Sequence, residues 1–296
     1  HPTNLSRQPP PMPWSPAQIP SPNLVRFIPT PRTARLARWV RIWVMRLGLG
    51  GKVFVVTAAS EGLGFAVAQV LVDEGAGVLL VSRNRDRLGE AVSQLGGSQH
   101  AIDLVADIAD PRTAEQAVGT AFEAFGRLDG AFISAGGPAR GGVLDVDDDT
   151  WRRSFDDVFL SALRMARATL AVNRAATLGF VLSTSTKSPL TGMAVSNGLR
   201  PGLGMLVKQL ADEIGPHGGR AFGLMPGSIG TQRLLDIHQA ADNPAAARKA
   251  ALVNIPLRRF GKPAESGQVA AFLLSDAASY VTGCVIPVDG GMLRAL

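Results

Sequence analysis

From residue 52 onward, short apolar runs alternate with longer amphipathic stretches. The runs are KVFVVTA (52–58), GVLLVSR (77–83), HAIDLV (100–105), DGAFISA (129–135), GFVLSTS (179–185), RAFGLMP (220–226) and CVIPVDG (284–290). Between them, apolar residues at helical spacing predict helices near 62–75, 85–96, 112–126, 150–174, 194–215 and 263–275. Buried strands separated by amphipathic helices build βαβ units on a parallel sheet. The predicted fold class is therefore α/β, a doubly wound parallel sheet with helices on both faces. No break or short-period repeat interrupts the pattern, so residues 47–296 are predicted to be a single domain.

The first 46 residues follow a different pattern. Ten of the 20 prolines fall within residues 1–31, which predicts an extended or disordered arm. Residues 32–47 set arginines at 32, 35, 38 and 41 against Leu36, Trp39, Val40, Trp43, Val44 and Leu47 on another helical face. Such a cationic amphipathic segment could lie on an anionic membrane surface, though it is too short and too charged to span one. Two other readings stand beside this one. The segment could dock on its own protein or a sister subunit. Alternatively, the natural start is Met45 and what precedes it is non-native or dispensable.

Composition changes the picture in two places. The formal net charge of +6 belongs to the arm, because residues 1–46 hold seven arginines and no acid. The remainder, with 23 bases against 24 acids, is close to neutral, which argues against a nucleic-acid-binding body. The single cysteine, Cys284, excludes an internal disulfide and fits a reducing, cytoplasmic compartment. No metal site is expected.

Candidate chemistry begins after the first run, at TAASEGLGF (57–65). Gly62 and Gly64 open a predicted helix directly after a predicted strand, where backbone N–H groups and the helix dipole can hold a pyrophosphate. This loop resembles the T-G-x-x-x-G-x-G of the short-chain dehydrogenase/reductase family, with Ala58 in place of the first glycine. Five further pieces resemble that family in order: DIAD (107–110), ISAGG (133–137), VLSTS (181–185), MPGSIGT (225–231), and a closing segment in IPLRRFGKPAE (255–265) and ASYVTGCVIPVDGG (278–291). The resemblance covers roughly residues 50–294 and implies a Rossmann-type fold and a nicotinamide cofactor.

The resemblance also implies which residues meet that cofactor. Thr57, Ala59, Ser60, Gly62, Leu63 and Gly64 would surround the pyrophosphate, and Asp107 and Ile108 the adenine. Ser134, Ala135 and Gly136 would line the nicotinamide ribose, with Pro226, Gly227, Ile229 and Thr231 at the carboxamide. At the tip of the second strand, an acid would select NAD, but Ser82 and Arg83 stand there instead. A neutral residue followed by a planar cation leaves room for a 2′-phosphate, so NADP(H) is favoured over NAD(H). Glu61 argues the other way, since its charge would face that phosphate.

The family's tetrad of Asn, Ser, Tyr and Lys is mostly replaced. Ser183 fills the serine slot, and 13 residues later Ser196 stands in the tyrosine slot. Arg200 stands in the lysine slot and Val158 in the asparagine slot. Ser183 and Ser196 are expected to polarise a substrate oxygen, and Arg200 to hold the ribose. The implied activity is hydride transfer to a carbonyl or from an alcohol. The rival reading is a catalytically impaired protein that binds NADP(H) as a sensor or assembly subunit. Lys187 and His238 are substitute proton donors, with His217 a weaker one. Tyr280, the chain's one tyrosine, reads as structural. The resemblance further implies a homodimer or homotetramer acting on a small-molecule substrate.

Overall fold

The computed structural model describes residues 46–240 and 242–295, and seven strands form one sheet in them. They are β1 (Val53–Thr57), β2 (Gly77–Ser82), β3 (Ala101–Val105), β4 (Gly130–Ile133), β5 (Thr177–Val181), β6 (Arg220–Pro226) and β7 (Cys284–Val288). Every pairing is parallel and the order is β3-β2-β1-β4-β5-β6-β7. The winding direction reverses between β1 and β4, so the crevice where such sheets bind ligands opens at the carboxyl ends of these two strands.

Alternation along each strand feeds two cores. In β1, Val53 and Val55 face one side while Phe54 and Val56 face the other. Helices α1 (Gly62–Asp73), α2 (Arg85–Gln94) and α9 (Pro263–Leu274) cover the second side through Leu71, Leu88 and Leu274. The first is covered by α3 (Thr113–Phe125), α5 (Ser161–Val172) and α6 (Ala194–Ile214) through Val118, Met165 and Val207. The predicted doubly wound sheet is thus borne out, and both faces are covered because parallel strands this apolar cannot leave one in water.

Three local features differ from the sequence pattern. The helix predicted over 150–174 is α4 (Asp148–Ser154) running into α5 through a π-helical turn, Phe155–Leu160. This wider turn carries Val158 and is a form often found beside functional sites. Strand β5 ends at Val181, so Ser183 lies past it, capping a 3₁₀ turn over Thr184–Thr186. The stretch after MPGSIGT is helical as well, with α7 (Gln232–Gln239) and α8 (Pro244–Val253). The start of α8 was legible: the Asn243 side chain accepts from Ala246 N–H at 3.0 Å, and Pro244 occupies the first turn, where its missing N–H is harmless.

The Pro-rich arm and most of the cationic segment lie outside the described residues. No helix among the described residues is long and apolar enough to cross a membrane. Cys284 is a free, half-buried thiol whose pKa burial pushes up, as expected of a packing residue.

Candidate active site

The cofactor end is built by backbone geometry. Ala58 has φ of +50° and Gly62 has φ of +64°, which turns the chain sharply from β1 into α1. A left-handed alanine costs about 1–2 kcal/mol, and the fold carries that cost at the position where the motif that the loop resembles has glycine. A β-carbon on Gly64 would lie 2.5 Å from the Ala58 carbonyl oxygen, so no side chain fits. Helix α1 starts with no side-chain cap and no acid in its first turn, leaving its N–H groups for an anion. The Thr57 hydroxyl donates to the Ser134 carbonyl at 2.7 Å and accepts from the Ser134 N–H at 2.8 Å, fastening β1 to the turn after β4. The Thr231 methyl sits against Gly62, so the MPGSIGT loop closes on the glycine loop. That loop is itself held by Gly230 N–H donating to Gly261 at 2.8 Å and Gly261 N–H donating to Ser228 at 3.0 Å.

Beside this cradle lies a cavity of about 460 Å³, lined in part by Ser82, Arg83, Asp107, Ile108, Gly136 and Asp157. The Ser60 and Ser82 hydroxyls are 3.0 Å apart, and Arg83 Nη1 is 3.7 Å from Asp107. Burial and the nearby Asp107 charge raise the Asp157 pKa. Glu61 does not face the corner as a free charge, because Arg87 Nη1 pairs with it at 2.9 Å.

The reacting end is arranged differently from the sequence expectation. Ser183, half-buried, accepts from the Ser185 N–H at 3.2 Å. Ser196 is 2 % exposed, and its hydroxyl is 2.9 Å from that of Ser185 rather than bonded to Ser183. Ser185, which the motif spacing did not single out, thus bridges the two predicted serines. Arg200 is buried, 5 % exposed, and its Nη1 donates to the Val181 carbonyl at the end of β5. Burial first, and the charge of Arg233 second, push the Arg200 pKa down to about 10. Val158 is buried in the core and offers no polar group. Asn197 fixes the start of α6 by bonding both the N–H and the carbonyl of Leu190 at 2.9 Å.

The remaining candidates disperse. Lys187 is exposed beyond the 3₁₀ turn. His217 and Tyr280 lie ahead of β6 and β7, at the amino ends of the strands, opposite the crevice. Tyr280 is fully exposed, so the structural role expected of it is corrected: nothing packs around its ring. His238 falls in α7, but its side chain lies outside the described residues. No cluster of metal ligands occurs among the described residues.

A family model described as enoyl-(acyl carrier protein) reductase matches residues 57–293. The chain is 35 % identical to 2,5-dichloro-2,5-cyclohexadiene-1,4-diol dehydrogenase of Sphingobium indicum, covering 82 % of this chain and 97 % of that one. It is 32 % identical to an L-rhamnose 1-dehydrogenase (NAD(P)(+)) of a Sphingomonas species, again over 82 % and 97 %. The chain belongs to the short-chain dehydrogenase/reductase family. As a member it is an NAD(P)-dependent oxidoreductase. Among solved structures it resembles L-sorbose reductase from Gluconobacter frateurii complexed with NADPH and L-sorbose, with TM-score 0.80 and 28 % identity over 85 % of this chain and all of that one. A short-chain oxidoreductase from Pseudomonas aeruginosa, described as containing an atypical catalytic centre, matches with TM-score 0.78 and 27 % identity over 84 % and 100 %. These relatives carry reaction names, which lends no support to the sensor reading.

Proposed function

We propose that this family member is an NADP(H)-dependent oxidoreductase interconverting a carbonyl and an alcohol through a serine-lined centre. The observation that carries this reading is the cleft itself. The Ser82–Arg83 corner, with no acid at the tip of β2, lies at one side of the carboxyl ends of the strands, and the Ser183–Ser185–Ser196 cluster lies past the end of β5. The residues present fit a dinucleotide, since the tight turn at Gly62 and Gly64 opens α1 with N–H groups that no side chain caps. Thr57, Ala59, Ser60, Leu63, Ser134, Ala135 and Gly136 would hold its phosphates and ribose. Pro226, Gly227, Ile229 and Thr231 would hold the carboxamide. When bound, the nicotinamide supplies or takes the hydride.

The protein's own part is to hold the substrate oxygen. Ser183 uses its lone pair on the Ser185 N–H, which leaves its O–H to donate to that oxygen. The Ser185–Ser196 hydroxyl pair fixes the turn carrying Ser183. Arg200 adds positive charge behind the centre, where it favours a developing alkoxide. A guanidinium does not release a proton at neutral pH and a serine hydroxyl is a poor acid, so in this reading the proton comes from water. By family resemblance, the half-exposed Phe155 and the exposed Met205 mark the helix faces that would meet in a dimer or tetramer.

Calorimetric titration tests the cofactor assignment. NADPH is expected to bind more tightly than NADH, and Arg83→Ala to weaken NADPH about tenfold while leaving NADH unchanged. Tighter binding of NADH would overturn the preference.

A further inference from the structure

We propose that Arg233 and Arg200 together form a paired-guanidinium anchor for a carboxylate on the substrate. This deepens the oxidoreductase reading and rests on it. Arg233 is the second residue of α7, and its guanidinium lies directly against Gly137 in the turn after β4. A β-carbon on Gly137 would collide with it, so the arginine reaches across the crevice through space only glycine leaves. Arg200, on α6, reaches the end of the neighbouring strand β5 through its bond to the Val181 carbonyl, and it is near enough for the Arg233 charge to act on it. Two guanidiniums, the exposed Arg233 and the buried Arg200, therefore lie at the carboxyl ends of the paired strands β4 and β5.

Neither has an acid. Among the described residues, no carboxylate pairs with Arg233 or Arg200, whereas Arg83 and Arg87 are paired with Asp107 and Glu61. The other buried arginine shows what a purely structural guanidinium looks like here. Arg220 donates to the carbonyls of Leu273, Ser275 and Val281 at 2.7, 2.8 and 3.3 Å, and the Asp276 charge favours its cationic form. Arg200 has one carbonyl and a like-charged neighbour in place of all this. A buried cation beside a second cation is stabilised by an anion between them, and the planar fork of a guanidinium matches a carboxylate with two parallel hydrogen bonds.

The position favours substrate over cofactor as the source of that anion. The pyrophosphate belongs at the amino end of α1, by Gly62, where the winding reverses between β1 and β4. The arginine pair lies one strand further, over β4 and β5, beside Ser183. The ligand class is therefore a carbonyl or hydroxyl compound carrying a carboxylate.

The test is calorimetric titration of the NADP⁺-saturated protein with pyruvate, 4-oxopentanoate and benzoate, each against its neutral methyl ester. At least one acid is expected to bind tenfold or more tightly than its ester. Arg233→Gln should remove that preference, leave the ester and NADP⁺ affinities unchanged, and be partly rescued by Arg233→Lys. Binding of no acid, equal binding of acid and ester, or an unaltered preference in Arg233→Gln would overturn the proposal. So would a loss of NADP⁺ affinity in Arg233→Gln, which would make the arginine a cofactor contact. Failure of the underlying oxidoreductase reading is told apart because wild type would then take up neither NADP⁺ nor NAD⁺ before any acid is added.

Discussion

The two ends of this cleft rest on one sheet and obey different rules. At the proposed dinucleotide end, the parts are backbone N–H groups, tight glycines and the Thr57–Ser134 clasp, all of which depend on chain path rather than on side-chain acidity. At the proposed reacting end, the family's proton-handling groups are side chains, and the motif spacing puts serine, arginine and valine in three of the four slots. This separation explains why Ala58 is tolerated at a glycine slot. It adds local strain but removes no N–H group from the cradle.

The separation can be broken from either side, and the largest effect is expected at the dinucleotide end. Gly64→Val would push a side chain into the Ala58 carbonyl, which is backbone and cannot swing away. NADPH affinity should fall at least a hundredfold, and stability by about 1–3 kcal/mol, in calorimetry and denaturant titration. Retained affinity would show that the cradle is not where the dinucleotide binds.

At the reacting end, Arg200→Met should act in the opposite direction on stability. Holding a guanidinium where its pKa falls to about 10 costs on the order of 3 kcal/mol, so removing the charge should stabilise the protein by about 1–3 kcal/mol. The sign follows from linkage. The folded pKa is below the ordinary guanidinium value, so the cost is fully present at neutral pH. It shrinks as pH rises above about 10, because the folded state sheds its proton first. Denaturant midpoints at pH 7 and pH 10.5 check both the gain and its narrowing. NADPH affinity should fall by about tenfold, for the lost ribose contact, which is far less than in Gly64→Val.

The smallest effect is expected for Ala58→Gly. Relief of the left-handed strain is partly offset by the greater freedom of glycine in the unfolded chain. The net gain should be at most about 1 kcal/mol in thermal unfolding, with cofactor affinity unchanged.

The fold was legible because its signals are local: each strand is a contiguous apolar run. The glycine loop, DIAD, ISAGG and MPGSIGT are readable as short stretches, but the contacts that join them, such as Thr57 to Ser134 across 77 residues, come only with the fold. The reacting end was only partly legible. Register placed Ser183, Ser196 and Arg200, yet Ser185 joins Ser196 across eleven residues, a contact set by how the 3₁₀ turn meets α6. The Glu61–Arg87 pair spans 26 residues, so Glu61 looked like a free charge in the linear chain. Arg233 carried no local signal, since only the folded lid brings α7 over Gly137. The helix start at Asn243–Pro244 has a readable cap, but the alanine-rich stretch after it carries no apolar period to mark a helix.

The central claim is that a serine-lined centre without tyrosine or lysine still handles a substrate oxygen beside an intact cofactor cradle. Its most direct test is NADPH oxidation by wild type and Ser183→Ala across a panel of carbonyl compounds, with cofactor affinity measured on both. We predict turnover by wild type, a fall of about a hundredfold in kcat for Ser183→Ala, and equal NADPH affinity. Wild type that binds NADPH but reduces nothing in the panel, or Ser183→Ala that turns over like wild type, would contradict it.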